Sequence, residues 1–131
     1  MAKQNNPWTN FGQAVALAYF QKTGYKIIAS NWHYHQQKID LVAQQRSIIV
    51  FIEIKLYLTN KFSYTNKIMG SYQEKQLQIA ANYFLERYKI NKWRYDFIII
   101  SINGYRGMAK LKHYRQITPS PHYLKKFQSN T

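Results

Sequence analysis

Apolar residues recur at helical spacing in two segments of the chain. Residues 6–23 contain an almost continuously apolar segment at residues 14–20 and end before Gly24, a natural helix terminator. Residues 71–88 begin with Ser71 and Glu74, which have the spacing of a capping box. The pattern predicts two helices, each with an apolar face turned toward a core. The apolar stripe of the second helix comprises Leu77, Ala80, Ala81, Phe84 and Tyr88.

Five further segments are rich in β-branched and aromatic residues, which favour strands. Hairpin-sized links join the first three segments, so we predict an antiparallel meander. The fourth segment follows the second helix and can join the same sheet only by a crossover. The predicted order is α-β-β-β-α-β-β, an α/β fold with a mixed sheet flanked by helices. The five segments are residues 25–34, 38–44, 47–58, 93–102 and 108–114.

The length of 131 residues suits one domain, and 46% of them are hydrophobic, so a buried core is available. We expect a single domain over residues 1–117 and a basic tail over residues 118–131. The absence of cysteine excludes disulfides, thiolate zinc sites and cysteine nucleophiles. No apolar run is long enough for a membrane span, and the apolar stretch at residues 14–20 is too short for a signal peptide. A cytoplasmic protein is therefore expected.

Charge narrows the choice of partner. The chain has 19 Lys and Arg against 5 Asp and Glu, which gives a formal net charge of +14. A compact body with this charge repels itself, and an anionic partner relieves the repulsion. Nucleic acid is the commonest such partner, with an acidic membrane surface and the ribosome as rivals. Alternatively, the positive charge reflects a general bias of the composition toward Lys and Asn and implies no anionic partner. We expect nucleic acid and no membrane.

Two of the five acids interrupt strand patterns. Glu53 and Lys55 lie on one face of the third predicted strand, whose other residues are apolar. Asp40 interrupts the preceding strand, and the 12 residues between Asp40 and Glu53 let the two carboxylates meet across a hairpin. Two such acids bind a hard cation such as Mg²⁺ or Mn²⁺, and a nearby ammonium stabilises charge on a phosphoryl group. The set suggests metal-assisted phosphodiester hydrolysis, whereas a simple salt bridge of Glu53 with Lys55 is the structural alternative.

Other polar residues also interrupt apolar patterns. Gln13 lies on the same helix face as Phe20, so its side chain looks toward the interior and needs a partner. Arg94 and Asp96 have the spacing of a same-face pair on a strand. His33 and His35 alternate along a strand end and could ligate a metal, with His113 remote from them, but surface positions are the better expectation for the histidines.

Six short stretches carry a resemblance through their order along the chain. They are residues 12–16 (GQAVA), 24–32 (GYKIIASNW), 39–43 (IDLVA), 50–55 (VFIEIK), 74–76 (EKQ) with 80–83 (AANY), and 94–96 (RYD). With these stretches the sequence resembles the YraN-like proteins, uncharacterised protein family 0102, of the PD-(D/E)xK nuclease superfamily. That superfamily also contains archaeal Holliday junction resolvases and many restriction enzymes. The resemblance runs from Phe11 to Ile117.

The resemblance implies a restriction-endonuclease-like core and a role for each residue of the site. Asp40 and Glu53 would be ligands of Mg²⁺ or Mn²⁺, together with the backbone carbonyl of Ile54. Lys55 would be the catalytic lysine. Gln13 would stand in, imperfectly, for a catalytic acid of the first helix.

The sequence departs from the family pattern at two positions of this site. Gln13 stands where the family has the Glu of Gly-Glu-x-x-Ala, and Lys38 stands where it has the Glu of Gly-Glu-Ile-Asp. Both changes remove a negative charge and Lys38 adds a positive one, which should weaken cation binding. Two functions therefore stay open: an endonuclease acting on branched DNA, and a DNA-binding relative with impaired catalysis. A basic module that binds RNA, the ribosome or a helicase is the third.

Basic and polar residues near the site are the expected nucleic-acid contacts, with DNA favoured over RNA. Lys61 and Lys67 lie in a polar loop after the third strand and would contact phosphate as a flap. Gln76 occupies a position of the second helix that lies near the site in relatives, and Lys75 is beside it. Lys38 completes the set. A homodimer is left open, because the junction resolvases of the superfamily act as dimers.

Overall fold

The structure is a computed structural model that describes residues 7–58, 71–103 and 108–115. The predicted order α-β-β-β-α-β-β is confirmed, and each helix or strand ends within one residue of its predicted bound. The elements are α1 (Pro7–Lys22), β1 (Lys26–Tyr34), β2 (Gln37–Gln45), β3 (Ile48–Leu58), α2 (Ser71–Tyr88), β4 (Trp93–Asn103) and β5 (Met108–Tyr114).

The five strands form one sheet in the order β1-β2-β3-β4-β5. The first three strands form the predicted antiparallel meander, β4 is parallel to β3, and β5 is antiparallel to β4. Both meander turns are two residues long, and their first residues have positive φ, 56° at His35 and 57° at Arg46. Positive φ suits such tight hairpins. Because α2 supplies the crossover between β3 and β4, the α/β fold with a mixed, nuclease-like core is confirmed.

Each helix packs against its own hydrophobic cluster. The cluster under α1 includes Phe20 of the helix and Ile52 of β3, whereas the cluster under α2 includes Phe84 and Phe51. Successive residues of a strand point to opposite faces, so β3 is covered on both. Ile54 and Leu56 also pack against the α1 cluster, as the alternation predicted. A strand covered on both faces leaves little room for an unpartnered charge.

A buried charged network joins β4, β5 and α1. The Asp96 carboxylate is fully buried and accepts hydrogen bonds from Arg94, with Nε to Oδ1 at 2.9 Å and Nη2 to Oδ2 at 3.1 Å. This confirms the predicted same-face pair. His113 Nε2 lies 2.7 Å from Asp96 Oδ2, and its Nδ1 lies 2.7 Å from the Tyr19 hydroxyl. The surface expectation for His113 is wrong, because pairing with Ile98 turns its side chain, only 9% exposed, over the α1 side of the sheet.

Two further expectations concern the ends of the chain and its helices. Neither α1 nor α2, the helices within the described ranges, combines the length and the hydropathy needed to cross a membrane. The predicted tail at residues 118–131 lies outside the described residues, and so do the side chains of Ser71 and Glu74.

Candidate functional site

The candidate site lies where β2 and β3 separate. The β2–β3 ladder ends at the pair of Leu41 with Ile52, and Asp40 and Glu53 are the next residue on each strand. The backbone N–H of Ile54 donates a hydrogen bond of 2.8 Å to Asp40 Oδ2 in place of a further ladder bond. This contact holds the Asp40 carboxylate against β3, beside Glu53.

A pocket of about 170 Å³ opens at this point between α1 and the two strands. It brings together both strand acids with the two residues that depart from the family pattern. A site made from three elements needs the whole fold to assemble. The pocket is lined by Gly12, Gln13, Lys38, Asp40, Glu53, Ile54 and Leu56.

Gln13 fastens α1 to β2 inside this pocket. Its Nε2 donates a hydrogen bond of 3.2 Å to the backbone carbonyl of Asp40. The interior-facing side chain on α1 therefore has the partner that the sequence required. A carboxylate at this position could not donate that bond, because an ionised acid only accepts hydrogen bonds. The side-chain amide of Gln13 therefore stabilises the local structure of the site by joining α1 to β2.

Lys38 forms an ion pair with Asp40. Its Nζ lies 2.7 Å from Asp40 Oδ1, and the side chains of Lys38 and Asp40 are 45% and 10% exposed. Burial alone would lower the pKa of the Lys38 ammonium, but the charge and the hydrogen bond of Asp40, with the charge of Glu53, raise it above its ordinary value. Lys38 is therefore positively charged and lies inside the predicted cation site.

Glu53 holds its proton more tightly than an ordinary glutamate. Burial and the charge of Asp40 raise the pKa of Glu53 to about 8, against the opposing charges of Lys55 and Lys38. Two acids at close range disfavour double ionisation, as the sequence predicted for a pair without a cation. At neutral pH the free protein therefore keeps Glu53 mostly protonated.

The structure brings together some of the predicted site residues and leaves others apart. Lys55 is half-buried and close enough for its charge to act on Glu53, but it does not line the pocket. Lys75 is exposed and Gln76 half-buried at the start of α2, and neither lines the pocket. The predicted flap residues are Lys61 and Lys67, which lie outside the described residues.

The donor set suits one hard cation at most. In the part of the chain that the structure describes, no group of three His, Cys, Asp or Glu side chains could hold a metal ion. Asp40 and Glu53 supply two carboxylates to the pocket, which match Mg²⁺ or Mn²⁺, and Ile54 and Gln13 also line it. Those residues fit such a cation only if the ammonium of Lys38 leaves Asp40.

The sequence missed one contact of this site. The sequence predicts that Lys38 contacts nucleic acid and that Lys55 is the local partner of the acids, whereas the structure pairs Lys38 with Asp40. The signal was present, because Lys38 and Asp40 have the same two-residue spacing on a strand as Arg94 and Asp96.

Comparison with known proteins bears out the resemblance. A family model described as "Uncharacterised protein family UPF0102" matches residues 12–100, which contain the whole pocket. The chain is 31% identical over 109 residues to a UPF0102 protein of Treponema pallidum, covering 81% of this chain and 86% of the relative. It is 28% identical over 110 residues to a UPF0102 protein of Clostridium perfringens, covering 84% and 90%. A UPF0102 protein of Caldicellulosiruptor saccharolyticus is 28% identical over 93 residues, covering 71% and 79%.

Proposed function

Because the chain belongs to uncharacterised protein family UPF0102, we propose its function from the chemistry of the pocket itself. The protein binds nucleic acid and hydrolyses DNA phosphodiester bonds with the aid of a divalent cation, with branched DNA as the first substrate to test. The observation that carries this proposal is the meeting of Asp40 and Glu53 in one pocket of a chain with a net charge of +14. Paired acids in a strongly basic protein are the arrangement that phosphodiester chemistry needs.

Asp40 and Glu53 are the residues that would hold Mg²⁺ or Mn²⁺. When bound, such a cation supplies Lewis-acid stabilisation of charge on the phosphoryl group. The raised pKa of Glu53 supports this role, because a cation between the two acids would favour the ionised form of Glu53, which burial and the charge of Asp40 disfavour in the free protein.

The other residues of the site position groups and supply positive charge. Lys55 lies beside Glu53, where its ammonium can orient a water molecule or stabilise charge on the phosphoryl group. Gln13 holds the backbone of Asp40 against α1 and so positions the carboxylate. Lys38, Lys75 and the basic character of the whole chain attract the phosphate backbone.

A second candidate is DNA binding without hydrolysis. The ion pair of Lys38 with Asp40 favours it, because an ammonium already neutralises one of the two acids. In that case Lys38 would take the place of the cation at Asp40, and the protein would still bind DNA through its positive charge.

A cleavage assay separates these candidates. Branched and linear DNA are incubated with the wild type, Glu53→Ala and Lys55→Ala in Mg²⁺ and in Mn²⁺. Matched controls are Glu86→Ala on α2 and Lys26→Ala on β1, which remove the same charges from exposed positions. We expect cleavage by the wild type and both controls, and its loss in the two site variants.

Other outcomes of the cleavage assay, read together with measurements of DNA binding, indicate a different function. If the wild type cleaves nothing in either metal yet binds DNA with a steep salt dependence, the enzyme proposal fails and the binding candidate stands. If DNA binding is also absent, or RNA is strictly preferred, the chain is a basic module for RNA or protein.

A further inference from the structure

We propose that Lys38 is a built-in counter-ion of Asp40, which excludes a divalent cation from the pocket until a phosphate group of nucleic acid draws its ammonium away. This inference rests on the proposed function, since it concerns when the cation site becomes available. It assigns to Lys38 the control of cation binding, which is a different role from simple contact with phosphate.

The geometry at Asp40 supports the exclusion. Lys38 Nζ occupies Oδ1 at 2.7 Å, and the backbone N–H of Ile54 occupies Oδ2 at 2.8 Å. Both oxygens of this carboxylate therefore have a hydrogen-bond donor. A divalent cation bound at Asp40 would also lie close to an ammonium of like charge, which is unfavourable in a partly buried site. Cation binding consequently requires the Lys38 ammonium to move.

The pair differs from the other acid–base pair of the same spacing. In the pair of Arg94 with Asp96 both side chains are buried, 8% and 0% exposed, and His113 closes the other side of the carboxylate. In the pair of Lys38 with Asp40 only the acid is buried, and the lysine is 45% exposed. The first pair is sealed in the core. The second can open by rotation of one flexible side chain toward solvent, with no change in the strand.

A phosphate group is the ligand that can capture this ammonium. The neutral amide of Gln13 is engaged with the backbone of Asp40 and offers no charge to compete. A nucleic-acid backbone carries closely spaced negative charges, and the chain attracts it through a net charge of +14. Once Lys38 pairs with phosphate, Asp40 is free to bind a cation together with Glu53. DNA and the cation should therefore each strengthen the binding of the other, as thermodynamic linkage requires.

Calorimetric titration of Mn²⁺ into the full chain tests the exclusion. The proteins are the wild type, Lys38→Gln, and the matched control Lys26→Gln, which removes the same charge from an exposed position at the far end of the β1–β2 ladder. Without DNA, Lys38→Gln should bind Mn²⁺ about tenfold more tightly than the wild type, within the usual range of coupling between sites. Lys26→Gln should bind as the wild type does. Thermal unfolding of each protein verifies that it is folded.

A second titration adds a short DNA duplex. Here the proteins also carry Lys55→Ala, so that the DNA stays intact. DNA should tighten Mn²⁺ binding about tenfold when residue 38 is lysine and much less in the Lys38→Gln variant. If DNA leaves the affinity for Mn²⁺ unchanged when lysine is present, release by phosphate is wrong.

The remaining outcomes separate this inference from the function on which it rests. Equal Mn²⁺ affinity in the wild type and Lys38→Gln would overturn the exclusion and leave the proposed cation site intact. No Mn²⁺ binding by any of the proteins, with or without DNA, would overturn the metal-dependent function and the inference together.

Discussion

Replacing Glu53 by Gln should stabilise the metal-free protein, and the stabilisation should increase with pH. Burial and the charge of Asp40 raise the pKa of Glu53 from 4.5 to about 8 in the folded protein. Between these two values the folded protein keeps a proton that the unfolded chain has released, so folding takes up a proton. The free energy of unfolding of the wild type should therefore contain a contribution that falls as the pH rises from about 4.5 to 8. Glu53→Gln has no group that ionises there and lacks this slope.

The magnitude of the stabilisation follows from the difference between the pKa values of Glu53 in the folded and the unfolded protein. Each pH unit in this window removes about 1.4 kcal/mol from the free energy of unfolding when only the unfolded chain is ionised. The full effect at pH 7 would be about 3 kcal/mol, and we expect about 2 kcal/mol because Glu53 is partly exposed to solvent and so partly screened. Near pH 4.5 the two proteins should be nearly equal, since protonated Glu and Gln have similar size and polarity.

Urea unfolding across this pH range, in the presence of a chelator, provides the measurement. Glu86→Gln is the matched control, because it removes an acid from an exposed position on α2. The difference between the wild type and Glu53→Gln reports the titration of Glu53 together with its coupling to Asp40, since groups remote from the pocket titrate alike in both proteins. The burial argument for Glu53 would be refuted if the free energies of unfolding of the two proteins changed with pH in parallel. It would also be refuted if the stability gain of Glu53→Gln shrank with rising pH.

Two further predictions concern the contacts that hold the site and the sheet. Asp96→Asn leaves the buried Arg94 guanidinium without its carboxylate and should lower the free energy of unfolding by about 3–5 kcal/mol in urea titrations; a loss below about 1 kcal/mol would mean that the network is not a buried ion pair in solution. Gln13→Glu replaces the donor to the Asp40 carbonyl by a carboxylate. It should cost about 1–2 kcal/mol without metal and tighten Mn²⁺ binding through the added acid, and calorimetry that shows weaker binding would contradict this.

Local patterns were sufficient for most of the fold and for the acid pair. Helical spacing located α2, and alternation placed Ile52, Ile54 and Leu56 on one face of β3. The hairpin-sized links between the first three segments predicted hairpins, and a hairpin brings together residues at matching distances from its turn. The sequence alone therefore predicts that Asp40 and Glu53 lie side by side.

The contacts of His113, which the sequence did not reveal, join residues far apart in the chain. His113 meets Tyr19 and Asp96 only because the pairing of β5 with β4 places its side chain on the sheet face that α1 covers. No local pattern in a short, exposed strand distinguishes a buried histidine from a surface one. For Lys38 the difficulty was a choice between partners, since both phosphate and Asp40 satisfy an ammonium. In the folded protein Asp40 lies within hydrogen-bond distance of Lys38.

The meander turn at Arg46 has a consequence for how this site tolerates insertions and deletions. Asp40 and Glu53 belong to opposite arms of one hairpin, and the two-residue connection fixes which residues of the arms face each other. A one-residue insertion in either arm would shift every position beyond it to the other face of the sheet. The acid pair would then come apart although neither acid had changed. Among homologous proteins that keep a functional acid pair, insertions and deletions should therefore be confined to segments outside that hairpin.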